Sequence, residues 1–373
     1  MKVLHFYKTC IPETIGGAQL FIDQLATGLA QRGVDLDVLA LSTERGDLPP
    51  LHRNGYRIHR ANESFQIAST GFSLDALRRF RELAREADII HYHFPWPFMD
   101  AAHLLLAKDK PSVVTYHSDI VRQKHWLRLY ELLGRRFLQS ASRIVATSPE
   151  YLATSTVLKR YADKVRVIPI GLDPGSYPPP EAQAVSDWRH RLGEGFFLFV
   201  GVLRYYKGLE FLIEAARISG LPVVIVGTGP LERRLHRQAQ SAPNIVFLGR
   251  LSEADKAAVL SLCGALVLPS HLRSEAFGIA LLEGALHAKP LISAAIGTGT
   301  SHVNQDEVTG LVVPPADPQA LAGALRRLRQ DPALAAAMGQ RARQRARDLF
   351  DAQRMTDAYL ELYGELLAGA ARS

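Results

Sequence analysis

Cysteine is scarce in this chain. Two residues, Cys10 and Cys263, lie far apart among 373. That number builds no disulfide framework and favours a reducing compartment. Long apolar runs are missing as well: eighteen apolar residues never follow one another, so no membrane-spanning helix is expected. The opening stretch from Met1 to Lys8 is interrupted by His5 and Lys8, and it lacks the apolar run and small-residue cleavage site of a secretory leader. Zinc-finger spacing, an RNA-recognition signature, low-complexity tracts and short-period repeats are also absent. These absences set aside a disulfide-stapled mini-domain, a membrane-embedded protein, a disordered chain and the common nucleic-acid modules.

The length suits two domains, and an apolar fraction of 47% is ordinary for globular cores. The net charge of +7 is unevenly spread, with 23 Lys and Arg against 17 Asp and Glu in the first 170 residues. Arg122, Lys124, Arg128, Arg135, Arg136 and Arg143 concentrate it, with Glu131 the sole acid among them. Trp126, Leu127, Leu129, Tyr130, Leu132 and Leu133 interleave with these charges. The mixture suits an interfacial helix on an anionic membrane surface more than a nucleic-acid groove, and a solvated helix face is the plainer alternative.

Short β-type runs alternate with helical stretches through both halves. Val3–Tyr7, Leu36–Leu41, Tyr56–Arg60, Asp88–His93, Ser112–Tyr116, Arg143–Thr147 and Val165–Ile168 read as strands of one series. After the Pro-rich stretch Pro174–Pro180, a second series runs through Phe196–Val200, Pro222–Val226, Ile245–Leu248, Ala265–Leu268, Pro290–Ser293 and Leu311–Val313. From Pro318 the pattern is almost wholly helical, broken near Asp331-Pro332 and Asp351. Strands alternating with helices imply mainly parallel sheets covered on both faces, with ligands bound beyond the carboxyl ends of the strands.

The loops after those strands carry the candidate chemistry. Gly16-Gly17 lies between the first strand and the first helix, where free amides can meet an anion; an ordinary loop is the alternative. His117 ends the fourth strand, with a hydrogen-bonded structural histidine as the alternative. His91 and His93 share one face of their strand, but no third metal ligand is evident nearby. Arg204 and Lys207 stand between a strand and a helix start, a placement that suits a diphosphate. Gly227-Thr228-Gly229-Pro230 closes the next strand and permits close approach to the backbone. Glu275 and Glu283 flank Phe277-Gly278-Ile279 at another strand-to-helix junction, where two carboxylates can accept hydrogen bonds from sugar hydroxyls.

Taken in order, these motifs, with Pro169-Ile170-Gly171-Leu172-Asp173, resemble retaining glycosyltransferase family 4, and the match spans essentially the whole chain. The resemblance implies an α/β chain of GT-B fold, with two Rossmann-like domains facing across a cleft. The N-terminal, acceptor-side domain is expected at 1–173, with a C-terminal helix of about 351–373 crossing back to it. A linker is expected at 174–194, and the donor-binding domain at 195–350. By the same resemblance Glu283 binds the ribose, Glu275 the transferred sugar, and Arg204 and Lys207 the diphosphate. Backbone amides at Phe277, Gly278, Ile279, Gly16 and Gly17 assist, Gly227 and Gly229 line the donor, Arg250 and Leu251 lie near the base, and His117 lies near the reacting sugar. His117, Lys207 and Glu275 are thus the catalytic set. Many members carry Arg directly after the strand glycine, where this chain has Val202; Arg204 shares its face if the segment stays extended.

The segments Ser118–Lys124 and Ile296–Ser301 resemble bacterial enzymes that build O-antigen and related surface polysaccharides with mannose or rhamnose from GDP-sugars. The expected partners are therefore a nucleotide-sugar donor and a saccharide or polyprenyl-diphosphate-linked acceptor, with an anionic membrane surface against residues 122–143 and no nucleic acid. No cofactor or metal is expected, because the cations serve the leaving group. The expected location is the cytoplasm, peripheral on the inner face of the membrane. A sugar-nucleotide 2-epimerase and a catalytically silent sugar-nucleotide-binding subunit are the competing readings.

Overall fold

The computed structural model describes residues 1–67, 70–119 and 124–370, without the side chains of 66, 67, 70 and 124–129. The chain divides into two compact units. One is Met1–Gly171 with Ala352–Ser373, and the other is Leu172–Asp351.

The first unit runs β1 (Lys2–Phe6), α1 (Gly17–Gln31), β2 (Asp35–Ser42), β3 (Leu51–Arg53), β4 (Tyr56–Asn62), β5 (Phe65–Ile67), β6 (Thr70–Phe72), α2 (Leu74–Glu86), β7 (Ile89–Phe94), α3 (Pro97–Leu106), β8 (Ser112–Tyr116), α4 (Lys124–Ser140), β9 (Arg143–Ala146), α5 (Pro149–Thr154) and β10 (Val165–Val167). Its main sheet has the order β10-β9-β8-β7-β1-β2-β4-β3, parallel except for the β3–β4 pair. Every residue of β7 and β8 is buried, as a sheet covered on both faces requires. Ser73 opens α2 by accepting a hydrogen bond from the Ala76 amide, and Ser148 does the same for Tyr151 at α5.

The second unit runs α6 (Ala182–Leu192), β11 (Phe197–Val200), α7 (Leu209–Ser219), β12 (Val223–Val226), α8 (Glu232–Ala239), β13 (Ile245–Gly249), α9 (Glu253–Leu262), β14 (Ala265–Leu268), α10 (Ile279–Leu286), β15 (Leu291–Ala294), α11 (Gly299–Val303), β16 (Gly310–Val313), α12 (Pro318–Gln330) and α13 (Pro332–Leu349). Its six strands are all parallel, in the order β13-β12-β11-β14-β15-β16. Asp317 and Asp331 cap α12 and α13, which accounts for the break at Asp331-Pro332.

The expected linker is largely structured. Helix α6 lies within 174–194 and packs on α9 of the same unit. Trp188 anchors it: the ring is buried, and its Nε1 donates to Asp255 Oδ1 at 2.8 Å. The prolines before Glu181 drew attention to an irregular stretch, but the helical spacing of Val185, Trp188 and Leu192 follows directly after them.

The final helix, α14 (Ala352–Ala370), belongs to the first unit and packs on α1. Gly28 of α1 makes that approach possible, since a Cβ there would lie 2.3 Å from Thr356 Oγ1. Arg32 pairs with Asp357, and Arg166 pairs with Glu361 and Glu365. No helix among the described residues is long and apolar enough to cross a membrane.

Candidate active site

In the second unit the sheet order reverses between β11 and β14, the strands after which the crevice of an open parallel sheet forms. The loop after β11 carries Lys207, and the loop after β14 carries Glu275. Lys207 Nζ lies 2.5 Å from Glu275 Oε2, and both side chains are about nine-tenths buried. Ser270 Oγ donates to the same carboxylate oxygen at 2.9 Å, and Thr298 Oγ1 donates to the Glu275 carbonyl at 2.8 Å. Burial alone lowers the Lys207 pKa, but Glu275 outweighs it and holds the ammonium above the ordinary lysine range. The pair is thus a fixed cation beside a fixed carboxylate.

Glycines let these loops nest on one another. Gly227 has φ +130°, and a Cβ there would lie 2.0 Å from the Gly201 carbonyl oxygen. At Gly229 a Cβ would lie 2.6 Å from the Leu203 amide nitrogen. The Leu203 amide donates to Thr228 O, and the Gly227 amide donates to Gly249 O. A side chain at either position would therefore collide with the backbone of the neighbouring loop. Val202 and Arg204 are exposed on either side of buried Leu203, but the segment is not the extended one expected: the Arg204 amide donates to the Val202 carbonyl at 2.8 Å, a tight turn at Leu203. Arg250 and Leu251 follow Gly249 at the end of β13, with Arg250 exposed.

Gly278, with φ +87°, caps the start of α10, where no side chain satisfies the first amides. Phe277 is buried, and Ile279 begins the helix. Glu283 lies just beyond the first turn, and its Oε1 accepts from Lys256 Nζ at 2.9 Å. Lys256, on α9, escaped the sequence reading because Glu253-Ala254-Asp255-Lys256 looks like a solvated helix start. Its Nζ also lies 5.6 Å from the centre of the Tyr177 ring, within the stretch read as linker. Among the described residues, no hydrogen bond or ion pair joins Glu283 to Glu275, or Arg204 to either carboxylate.

In the first unit the order reverses between β7 and β1. Gly16 caps α1 in an extended conformation and Gly17 begins the helix, whose first turn has no acid and no side-chain cap. His117 follows β8 and is partly exposed. Behind it lies a buried row: His117 Nε2 is 3.0 Å from His93 Nδ1, and His93 Nε2 is 3.1 Å from His5 Nδ1. His5 is paired in register with His91, so β1 supplies the third histidine that the sequence reading did not find. The ring nitrogens of His5, His91 and His93 lie within 4.8 Å of one another. His91 is nevertheless engaged at both nitrogens, Nδ1 by Tyr363 at 2.6 Å and Nε2 by Thr115 at 2.7 Å. The group therefore forms a hydrogen-bonded network with no His91 nitrogen left for a cation. Burial pushes His5 down to about 3 and lowers His91, His93 and His117 as well, so these rings are neutral at neutral pH.

The basic segment is helical over Lys124–Ser140, and Arg143 opens β9. Arg135 pairs with Glu131. The side chains of Lys124, Trp126 and Arg128, and Arg122 entirely, lie outside the described residues.

The model described as Glycosyltransferase Family 4 matches residues 15–176, and that of Glycosyl transferases group 1 matches residues 182–345. The chain is 53% identical over 354 residues to the D-rhamnosyltransferase WbpZ of Pseudomonas aeruginosa, covering 94% of this chain and 93% of that one. It is 50% identical over 369 residues to the O-antigen chain mannosyltransferase C of Escherichia coli, covering 98% and 99%. Sucrose-phosphate synthase from Thermosynechococcus elongatus superposes with a TM-score of 0.84 at 23% identity, over 99% of both chains, and shares the GT-B fold. The chain belongs to glycosyltransferase family 4. It is a glycosyltransferase, and its partners are a nucleotide-sugar donor and a saccharide acceptor.

Proposed function

We propose that this glycosyltransferase moves a hexose of the mannose or rhamnose type, with retention, from a GDP-sugar to a polyprenyl-diphosphate-linked saccharide in surface polysaccharide synthesis. The hexose and the pathway rest on the two relatives at 53% and 50% identity, whose names specify D-rhamnose and O-antigen mannose transfer. The observation that carries the donor half is the buried Lys207–Glu275 pair at the β11/β14 switch point. Lys207 meets the charge developing on the leaving diphosphate, with Arg204 and the open amides of α10 beside it. Glu275 accepts from hydroxyls of the transferred sugar, and Glu283, held by Lys256, accepts from the ribose. His117 faces the reacting sugar. These cations take the role that a metal serves in other transferases, and turnover is expected to survive a chelator. The acceptor's lipid diphosphate lies along the basic helix α4, at an anionic membrane surface.

The deciding measurement is thermal stabilisation by GDP, UDP and ADP. A diphosphate at 100 times its dissociation constant stabilises the donor-binding unit by about 2.7 kcal/mol. A shift with GDP alone supports the reading; a shift confined to UDP or ADP overturns the nucleotide.

A further inference from the structure

The row of imidazoles behind His117 has a direction, and the direction matters for chemistry. A neutral imidazole donates through one nitrogen and accepts through the other. His93 therefore passes polarity along the row: if it accepts from His5 it must donate to His117, and the reverse. In the first arrangement His5 Nδ1–H donates to His93 Nε2, and His93 Nδ1–H donates to His117 Nε2. His5 Nε2 is then a bare lone pair. In the second arrangement all three protons move to the other nitrogens, and His5 Nε2 carries a hydrogen. That atom is buried and has no hydrogen-bond partner among the described residues. It lies at the inner end of the row, beside the His91 ring at 4.5 Å between centroids. An orphaned buried N–H is the rarer and costlier defect, so the first arrangement is favoured.

We propose that His93 is a positioning residue: by donating from Nδ1 to His117 Nε2, it fixes His117 as the Nδ1–H tautomer and presents that N–H to the sugar-transfer site. The proposal rests on the reading that His117 faces the reacting sugar. Packed rings hold the row in place. Phe21 of α1 packs edge-on against both His93 and His117, at 5.8 and 5.2 Å. The His91 ring stacks on His93 at 4.6 Å and is itself pinned by Tyr363 and Thr115. Thr115 is in turn tied to Tyr359, at 2.7 Å. Helix α14 thus braces the row from behind. The rings are neutral at neutral pH, as the one-donor, one-acceptor count requires. His117 Nδ1 has no protein partner among the described residues and is the nitrogen left for a ligand. A donor there meets the lone pair of any sugar oxygen, whereas a bare Nδ1 could only accept from a hydroxyl hydrogen.

The test is ring-15N histidine labelling of the whole protein, with the His117 signals assigned from His117→Ala. Two-bond nitrogen–proton correlations expected for wild type show hydrogen on Nδ1; hydrogen on Nε2 overturns the proposal. Kinetics add a second readout, with GDP-mannose as the probe and GDP release as the signal. His93→Phe, which has no donor, is expected to lower kcat about 10-fold or more with KM for the donor unchanged. His93→Asn keeps an amide N–H near the Nδ1 position and is expected to recover most of the loss. Wild-type kcat in His93→Phe, with the His117 tautomer unchanged, also overturns the proposal. Should His93→Phe fail to fold, or should GDP-mannose not be turned over, the wild-type tautomer decides alone. Wild-type turnover in His117→Ala removes instead the reading on which the proposal rests, and leaves the tautomer result standing.

Discussion

Lys207 and Glu275 meet as a buried ion pair although 68 residues separate them in the chain. The contact arises because β11 and β14 are neighbours in the sheet, so the loops that leave them converge. Lys207→Met is expected to cut turnover by at least ~10²-fold, the scale of losing one charge-stabilising donor. It also strands Glu275 without its cation, and the unfolding free energy should fall by roughly 3–5 kcal/mol. Adding Glu275→Gln to that variant should restore much of the stability and none of the turnover. Urea unfolding and GDP release measure the two effects separately. Wild-type turnover in Lys207→Met means that the diphosphate is held elsewhere.

Glu283 depends on Lys256 for its setting, with 2.9 Å between them. Glu283→Ala should weaken nucleotide-diphosphate binding about tenfold or more, or about 1.4 kcal/mol, with the fold retained. Lys256→Met should weaken it in the same direction, since the carboxylate loses the partner that orients it. Titration calorimetry with GDP gives both values. Unchanged affinity in Glu283→Ala removes this residue from the ribose.

Gly227 provides a purely steric test. Alanine at φ +130° would force its Cβ to within 2.0 Å of the Gly201 carbonyl oxygen. The loops after β11 and β12 would have to separate, at a cost of at least about 1–3 kcal/mol. The urea midpoint of Gly227→Ala should drop accordingly, and Lys207, which leaves the same β11 loop, should lose turnover with it. A midpoint equal to wild type shows that the two loops do not need to touch.

Burial of neutral histidines sets a pH dependence with a definite sign. His5 is held down to about 3, against an ordinary value of 6.5 in the unfolded chain. The unfolded state therefore takes up a proton that the folded state refuses. This contribution is fully present above pH 6.5 and is lost as pH falls toward 3. At pH 5 one such group costs the fold about 2 kcal/mol. His91 and His93 add in the same direction. Stability measured by urea unfolding between pH 7 and 4.5 should fall steeply, and His5→Phe should fall less steeply by about one proton. An equal slope in that variant means that His5 is protonated in the folded protein.

The fold was legible in the sequence because both main sheets are parallel but for the β3–β4 pair. Val223–Val226 and Ile89–Phe94 are buried on both faces, so they appear as unbroken apolar or aromatic runs. Lys207 and Glu275 were legible for a related reason: each follows such a run. What escaped depends on contacts between elements. Lys256 is one turn into an ordinary amphipathic helix, and only its packing beside α10 and Tyr177 joins it to Glu283. His5 attracted notice only as a break in an apolar strand, because its alignment with His91 is a matter of sheet register. The proline cluster before Glu181 drew attention from α6 and from Tyr177, so a packed segment looked like linker. Gly227 and Gly229 were legible as glycines that permit close approach, but that their Cβ positions are filled by the backbone of Gly201 and Leu203 is invisible in a sequence.

The return of α14 to the first unit has a consequence for biogenesis. The second unit is a single uninterrupted stretch, Leu172–Asp351, whereas the first is divided between Met1–Gly171 and Ala352–Ser373. On the ribosome, the earlier-made portion of the first unit must wait while the whole of the second emerges. Until Tyr359 and Tyr363 arrive, Thr115 and His91 lack the hydroxyls that satisfy them. The unit translated first is thus the last to be finished, and a chain stalled before α14 presents the face of α1 around Gly28, which α14 covers in the finished fold, as a surface for chaperones to find.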